Sequence, residues 1–103
     1  MLKRSVLAML LLAVATTAYA DTFQLLRRSG QDTYRVANAP IKVFDSKSQL
    51  RFSGYTDQAG SFLIVLPNGS YLVQVTYGQS TLCATLRVTG ARATSQVYVN
   101  TCP

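Results

Sequence analysis

From residue 21 onward, apolar and polar positions alternate with a period of two. That spacing places every second side chain on one face of an extended strand. Val, Ile, Thr, Tyr and Phe dominate these segments, and Gly, Pro, Asn, Asp and Ser punctuate them. The pattern predicts strands over Thr22 to Arg28, Leu50 to Thr56, Ser61 to Leu66, Ser70 to Tyr77, Thr81 to Thr89 and Ser95 to Thr101. Two shorter extended pieces, Tyr34 to Val36 and Ile41 to Asp45, flank Asn38-Ala39-Pro40. Turn signals recur about every 8–12 residues, the spacing of a sandwich or barrel. No segment has a helical period. The expected fold is all-β, an antiparallel β-sandwich of about seven strands.

Two strand pairings can be read from the turns. Asn68-Gly69 is the dipeptide of a two-residue hairpin. A hairpin there sets Leu66 against Tyr71, Ile64 against Val73 and Phe62 against Val75, an apolar row expected to line the core. A second row, Leu63, Val65 and Leu72, lies on the opposite face. It is expected to be covered by the Phe23-Leu25-Leu26 segment, or, if exposed, to be a docking patch for a partner. In the last hairpin, setting Cys83 opposite Cys102 brings Leu86 to Val99, Val88 to Val97 and Arg87 to Tyr98. The cysteine pairing and the apolar pairing agree. A Cys83–Cys102 disulfide between adjacent strands, on the face away from Leu86 and Val88, is therefore expected.

Residues 1–20 read differently. Lys3 and Arg4 precede an apolar run, Val6 to Val14, and Ala18-Tyr19-Ala20 has the small-x-small form of a cleavage site. This is the pattern of a secretory signal peptide cut after Ala20, and the run is too short to span a membrane. The residue immediately after the cut is Asp21 and not cysteine, which argues against a lipid anchor. Residues 21–103 are then a single exported β-sandwich domain, periplasmic or extracellular, with no transmembrane segment. A domain this small has a marginal core, and a disulfide suits an oxidising compartment. The chain's formal charge is +6. Removing Lys3 and Arg4 leaves +4 on the mature domain, which favours an acidic protein surface, lipid headgroups or an anionic polysaccharide. Arg87 and Tyr98, beside Arg27, Arg28 and Arg92, form a candidate anion patch.

Three segments carry a resemblance. They are Asn38-Ala39-Pro40-Ile41-Lys42-Val43-Phe44-Asp45, Thr56-Asp57-Gln58-Ala59-Gly60-Ser61-Phe62 and Leu66-Pro67-Asn68-Gly69-Ser70-Tyr71. Together they resemble the carboxypeptidase regulatory-like and collagen-adhesin B-type repeat domains, whose fold is a transthyretin-like (prealbumin-like) or Ig-like sandwich. The resemblance implies positive-φ turns at Gly60 and Gly69 and core positions for Phe62 and Tyr71. Some relatives close a Lys–Asn or Lys–Asp isopeptide bond with help from an acidic residue, often Glu. Here there is no Glu, and Lys42 alternates out of phase with Ile41 and Val43. The related hydroxyisourate hydrolases require His, which this chain lacks.

The same absences narrow the chemistry. Without His there is no Ser-His or Cys-His nucleophile system and no imidazole for zinc. Asp45 and Asp57 each lie at a strand end or turn, where Asp caps local backbone, and are not read as a catalytic pair, nor Asp57 with Asn68 as a calcium site. No catalytic residue, metal or cofactor is expected, and no nucleic-acid partner. The expected function is a non-catalytic binding or structural accessory module of the cell envelope, with a protein or an anionic envelope component as partner. The alternative is a secreted inhibitor or effector of a hydrolase. The candidate binding residues are Leu63, Val65, Leu72, Arg87 and Tyr98.

Overall fold

The computed structural model describes residues 20–90 and 94–103. Its nine strands are β1 (Ala20–Ser29), β2 (Asp32–Arg35), β3 (Pro40–Phe44), β4 (Leu50–Tyr55), β5 (Ser61–Val65), β6 (Gly69–Tyr77), β7 (Ser80–Val88), β8 (Thr94–Tyr98) and β9 (Asn100–Thr101). The described residues contain no helix, so none is long and apolar enough to cross a membrane. Two sheets form a sandwich. One has four strands, with β1 paired to β2, β5 and β8; the other has five, in the order β4-β3-β6-β7-β9. All pairings are antiparallel except β1 with β8, which is parallel. The excess over seven strands comes from the short β2 and from a last strand that divides in two.

Alternation fills the core as expected. Phe23, Leu25, Phe62 and Ile64 point inward from one sheet, and Ile41, Val43, Val73, Val75, Leu82, Leu86 and Val88 from the other. Complete burial of one such aliphatic side chain is worth about 1.5–3 kcal/mol. The row Phe62, Ile64, Leu66, Tyr71, Val73 and Val75 is buried throughout.

The pairing expected within that row is wrong. β5 pairs with β1, while β6 pairs with β3 and β7, so the two strands lie in different sheets. Pro67 precedes the Asn-Gly dipeptide and has no N–H to give a ladder. The Tyr71 hydroxyl donates to the Pro67 carbonyl at 2.7 Å, bracing a crossover between sheets in place of a hairpin. Gly69, with φ +155°, opens β6 there. Parity within each strand survived the error, because alternation depends on the strand and not on its partner.

The last hairpin is corrected in the same way. Cys83 and Cys102 are bonded, with Cα atoms 4.8 Å apart and a sequence separation of 19. Cys83 faces away from the inward Leu86 and Val88, as expected. However, of the two parts of the last strand β7 pairs with β9 alone, with Cys83 opposite Asn100, and β8 lies in the other sheet beside β1. Val99 is the crossover; it is buried, and its N–H donates to the Leu26 carbonyl at 2.9 Å. Asp21 anchors the opposite end of this excursion. Its buried carboxylate accepts from the N–H groups of Thr89 and Gly90 at 3.1 and 3.3 Å, drawing the end of β7 toward β1. Reducing the disulfide, or the Cys83→Ser/Cys102→Ser variant, is expected to cost about 3 kcal/mol in the chain-entropy picture. Chemical denaturation with and without reductant measures it; an unchanged midpoint would show that the staple adds nothing.

Candidate functional site

The arginine-rich end of β1 is positioned by a change of partner at Leu25. The Leu25 N–H donates to the Gly60 carbonyl at 2.8 Å, and the Leu25 carbonyl accepts from Val36 N–H at 3.0 Å. Before this point β1 runs beside β5; after it β1 pairs with β2 alone on that side. Gly30, at φ +62°, closes the hairpin. Residues 26–35 thus project as a two-stranded ribbon carrying Arg27, Arg28, Arg35 and Tyr34.

Alternation sorts these residues onto two sides. On the outer face of the four-stranded sheet, Arg35 and Tyr98 flank Leu26 from β2 and β8. Leu26 is buried under this row. The Arg28 guanidinium sits 4.6 Å from the centre of the Tyr98 ring, within cation–π range. On the inner side, Arg27, Ser29, Tyr34 and Tyr77 line a groove of about 330 Å³. Among the described residues the ion pair is Arg51 with Asp45, at 3.3 Å, so no carboxylate lies within 4 Å of Arg27, Arg28 or Arg35. The ribbon's own acid, Asp32, has a carboxylate oxygen 3.4 Å from the Tyr34 hydroxyl. The ribbon therefore offers guanidinium forks to both sides, with a phenol ring as platform on the outer one.

The sequence-derived candidates do not meet in one place. Leu63 and Val65 are each 57% exposed on the outer face of the four-stranded sheet, while Leu72, 42% exposed, is on the far side of the molecule in the other sheet. The cover expected from Phe23-Leu25-Leu26 is not there. Phe23 and Leu25 belong to the core, and Thr22 is the residue beside Leu63. Arg87 lies opposite Ser70 in the five-stranded sheet, not opposite Tyr98. Arg92 falls outside the described residues. Of the anion patch, Arg28 and Tyr98 are together, Arg27 is on the other side of the ribbon, and Arg87 is remote. Arg35, which the sequence reading passed over, completes the outer cluster. Its signal was two-residue alternation across the Gly30 turn, which places it beside Leu26.

The two aspartates behave as local caps. The Asp45 carboxylate accepts from Lys47 N–H and Gln49 N–H, each at 2.9 Å, and Asp57 does the same with Ala59 and Ser61. The Gln49 backbone bond, then that from Lys47 and the Arg51 guanidinium, holds the Asp45 carboxyl below its ordinary pKa. Lys42 is exposed, between buried Ile41 and Val43. With Ser53, Tyr55, Gln74 and Thr76 it borders a groove of about 350 Å³ on the outer face of the five-stranded sheet, a surface of neutral hydrogen-bonding groups with one ammonium.

No protein-family model matches this chain, and the comparison with curated proteins found no match. Among solved structures it is similar to a DUF3823 family protein from Parabacteroides merdae ATCC 43184, with a TM-score of 0.53 at 13% identity. The similarity covers 81% of this chain and 47% of that one, so this chain matches less than half of the neighbour's length. The likeness is one of β-sandwich fold.

Proposed function

We propose that this chain is an exported binding module of the cell envelope that holds an anionic partner on the outer face of the β1–β2 ribbon. The observation behind this reading is the cluster of Arg28, Arg35 and Tyr98 around buried Leu26, with no carboxylate within 4 Å of either arginine among the described residues. Arginine suits the role because its planar fork pairs bidentately with carboxylate, phosphate or sulfate, and it is weakly hydrated. The mature charge of +4 adds a long-range attraction. The module works by binding and not by catalysis, in keeping with a chain that has neither His nor Glu. We also read it as a carboxypeptidase regulatory-like domain. Supporting that finer kinship, Thr56, Asp57, Gly60, Phe62 and Tyr71 each have a structural task in the turns that carry the resemblance.

The mature domain is expected to bind an anionic polysaccharide or vesicles rich in anionic lipid, and to ignore neutral counterparts. Binding should weaken as salt is raised, since the screening length falls from about 8 Å at 0.15 M to about 3 Å at 1 M. Titration at several salt concentrations measures this. Equal binding to neutral and anionic surfaces, or affinity unchanged by salt, would overturn the reading.

A further inference from the structure

We infer that the free edge of β5 is a self-pairing interface, and that two copies of this chain join there antiparallel about a two-fold axis through Ile64. The hydrogen-bonding direction along β5 is settled by its pairing with β1. Leu25 N–H bonds Gly60 C=O, and Phe62 and Ile64 follow at the next bonded positions, opposite Phe23 and Asp21. The N–H and C=O of Ser61, Leu63 and Val65 therefore point away from β1. Those of Ser61 are taken, its carbonyl by Asp57 N–H and its N–H by the Asp57 carboxylate, each at 2.9 Å. Leu63 and Val65 remain, and no other described strand pairs with them. These are also the two residues whose apolar side chains stand 57% exposed.

Other edges are protected in ways that β5 is not. β4 carries Arg51, β2 carries Asp32 and Arg35, β9 is two residues long, and β8 exposes Thr94, Ser95 and Gln96. A charge on an edge strand is a common defence against pairing. The sequence from Gln58 to Leu86 contains no ionisable acid or base of ordinary charge, so two β5 edges can approach without like charges meeting.

The strand is complementary to itself. With Ile64 facing its own copy, Leu63 faces Val65 of the second chain, and each such pair exchanges two backbone hydrogen bonds. The Leu63 and Val65 side chains then lie cross-strand on the outer face, covering one another. The pairing stops at both ends for the same reason. Ser61, already bonded to Asp57, faces Pro67, which has no N–H. An edge this short buries little area, so the association is weak and concentration-dependent. A two-fold normal to the sheet keeps both arginine clusters on one side of the joined sheet; that consequence alone rests on the anion-binding reading.

The test is sedimentation velocity on the mature disulfide-bonded domain, without ligand, up to about 1 mM protein. A reversible monomer–dimer equilibrium is expected, with slowed amide exchange at Leu63 and Val65 as the dimer fills. Leu63→Asp and Val65→Lys each change an exposed side chain and should each abolish the dimer. Mixed in equal amounts they should restore it, because position 63 of one chain meets position 65 of the other. A monomer throughout the range would overturn the proposal, as would single variants that dimerise like the parent or a mixture that stays monomeric. Protection of those amides only when another envelope protein is added would assign the edge to a foreign strand and equally overturn it. Since no anion is present, failure here leaves the reading of the arginine ribbon intact.

Discussion

Gly60→Ala is expected to destabilise the domain by about 3 kcal/mol or more. Two causes add. Gly60 sits at φ +81°, where a Cβ costs about 1–2 kcal/mol. That Cβ would also lie 2.8 Å from the Leu25 carbonyl oxygen and 3.1 Å from the Val36 nitrogen, both backbone atoms in the ladder that hands β1 from β5 to β2. Neither can move without breaking the junction that positions the arginine ribbon. Gly30→Ala separates the two causes. Gly30 has φ +62° but nothing within 4 Å of its Cβ position, so it should lose only the dihedral part, about 1–2 kcal/mol. Urea denaturation of both variants checks this; equal losses would mean that the close approach at Gly60 carries no cost.

Thr56→Val should cost about 3 kcal/mol with almost no change in shape. Thr56 is buried, and its hydroxyl donates to the Val36 carbonyl at 2.6 Å while accepting from Ala39 N–H at 2.9 Å. One side chain thus satisfies both ends of the link between β2 and β3. Valine keeps the volume and leaves a buried donor and a buried acceptor unpaired, each worth about 1–3 kcal/mol. Thr56→Ser, which retains the hydroxyl, should recover most of the loss. A valine variant as stable as the parent would show that water replaces the hydroxyl without penalty.

Thr56 and Gly60 show what could be read before the fold was known and what could not. The Thr-Asp-x-x-Gly-x-Phe pattern marked a turn; the Asp57 carboxylate holds that turn, and the Thr56 hydroxyl ties its start to the link between β2 and β3. Which residues face inward was equally plain, since parity along a strand needs no knowledge of its neighbour. The neighbours were the difficulty. Asn68-Gly69 and the Cys83–Cys102 spacing both invited local hairpins, yet at Pro67 and Val99 the chain crosses to the other sheet. Such crossings are decided by contacts distant in sequence, among them the Asp21 carboxylate with Thr89 and Gly90, 68 and 69 residues away. Those crossings also separated the candidate site. Leu63 and Leu72 both face outward but lie in different sheets, and Arg87 and Tyr98 share a presumed hairpin that does not form. An inward-parity Asp at the start of β1 was the available clue to one crossing, and Pro67 before Asn-Gly was the clue to the other.

Net charge alone would draw any basic protein to an anionic surface, so the location of the charge has to be tested separately. The direct measurement is affinity for one anionic polysaccharide, at one moderate salt concentration, for two variants of equal charge. Arg28→Gln/Arg35→Gln removes two charges from the ribbon face; Lys42→Gln/Arg87→Gln removes two from the outer face of the five-stranded sheet. If the ribbon holds the partner, the first variant loses about tenfold or more, the equivalent of about 1.4 kcal/mol, and the second stays within about twofold of the parent. Equal losses in both, or a loss confined to the second, would contradict the assignment.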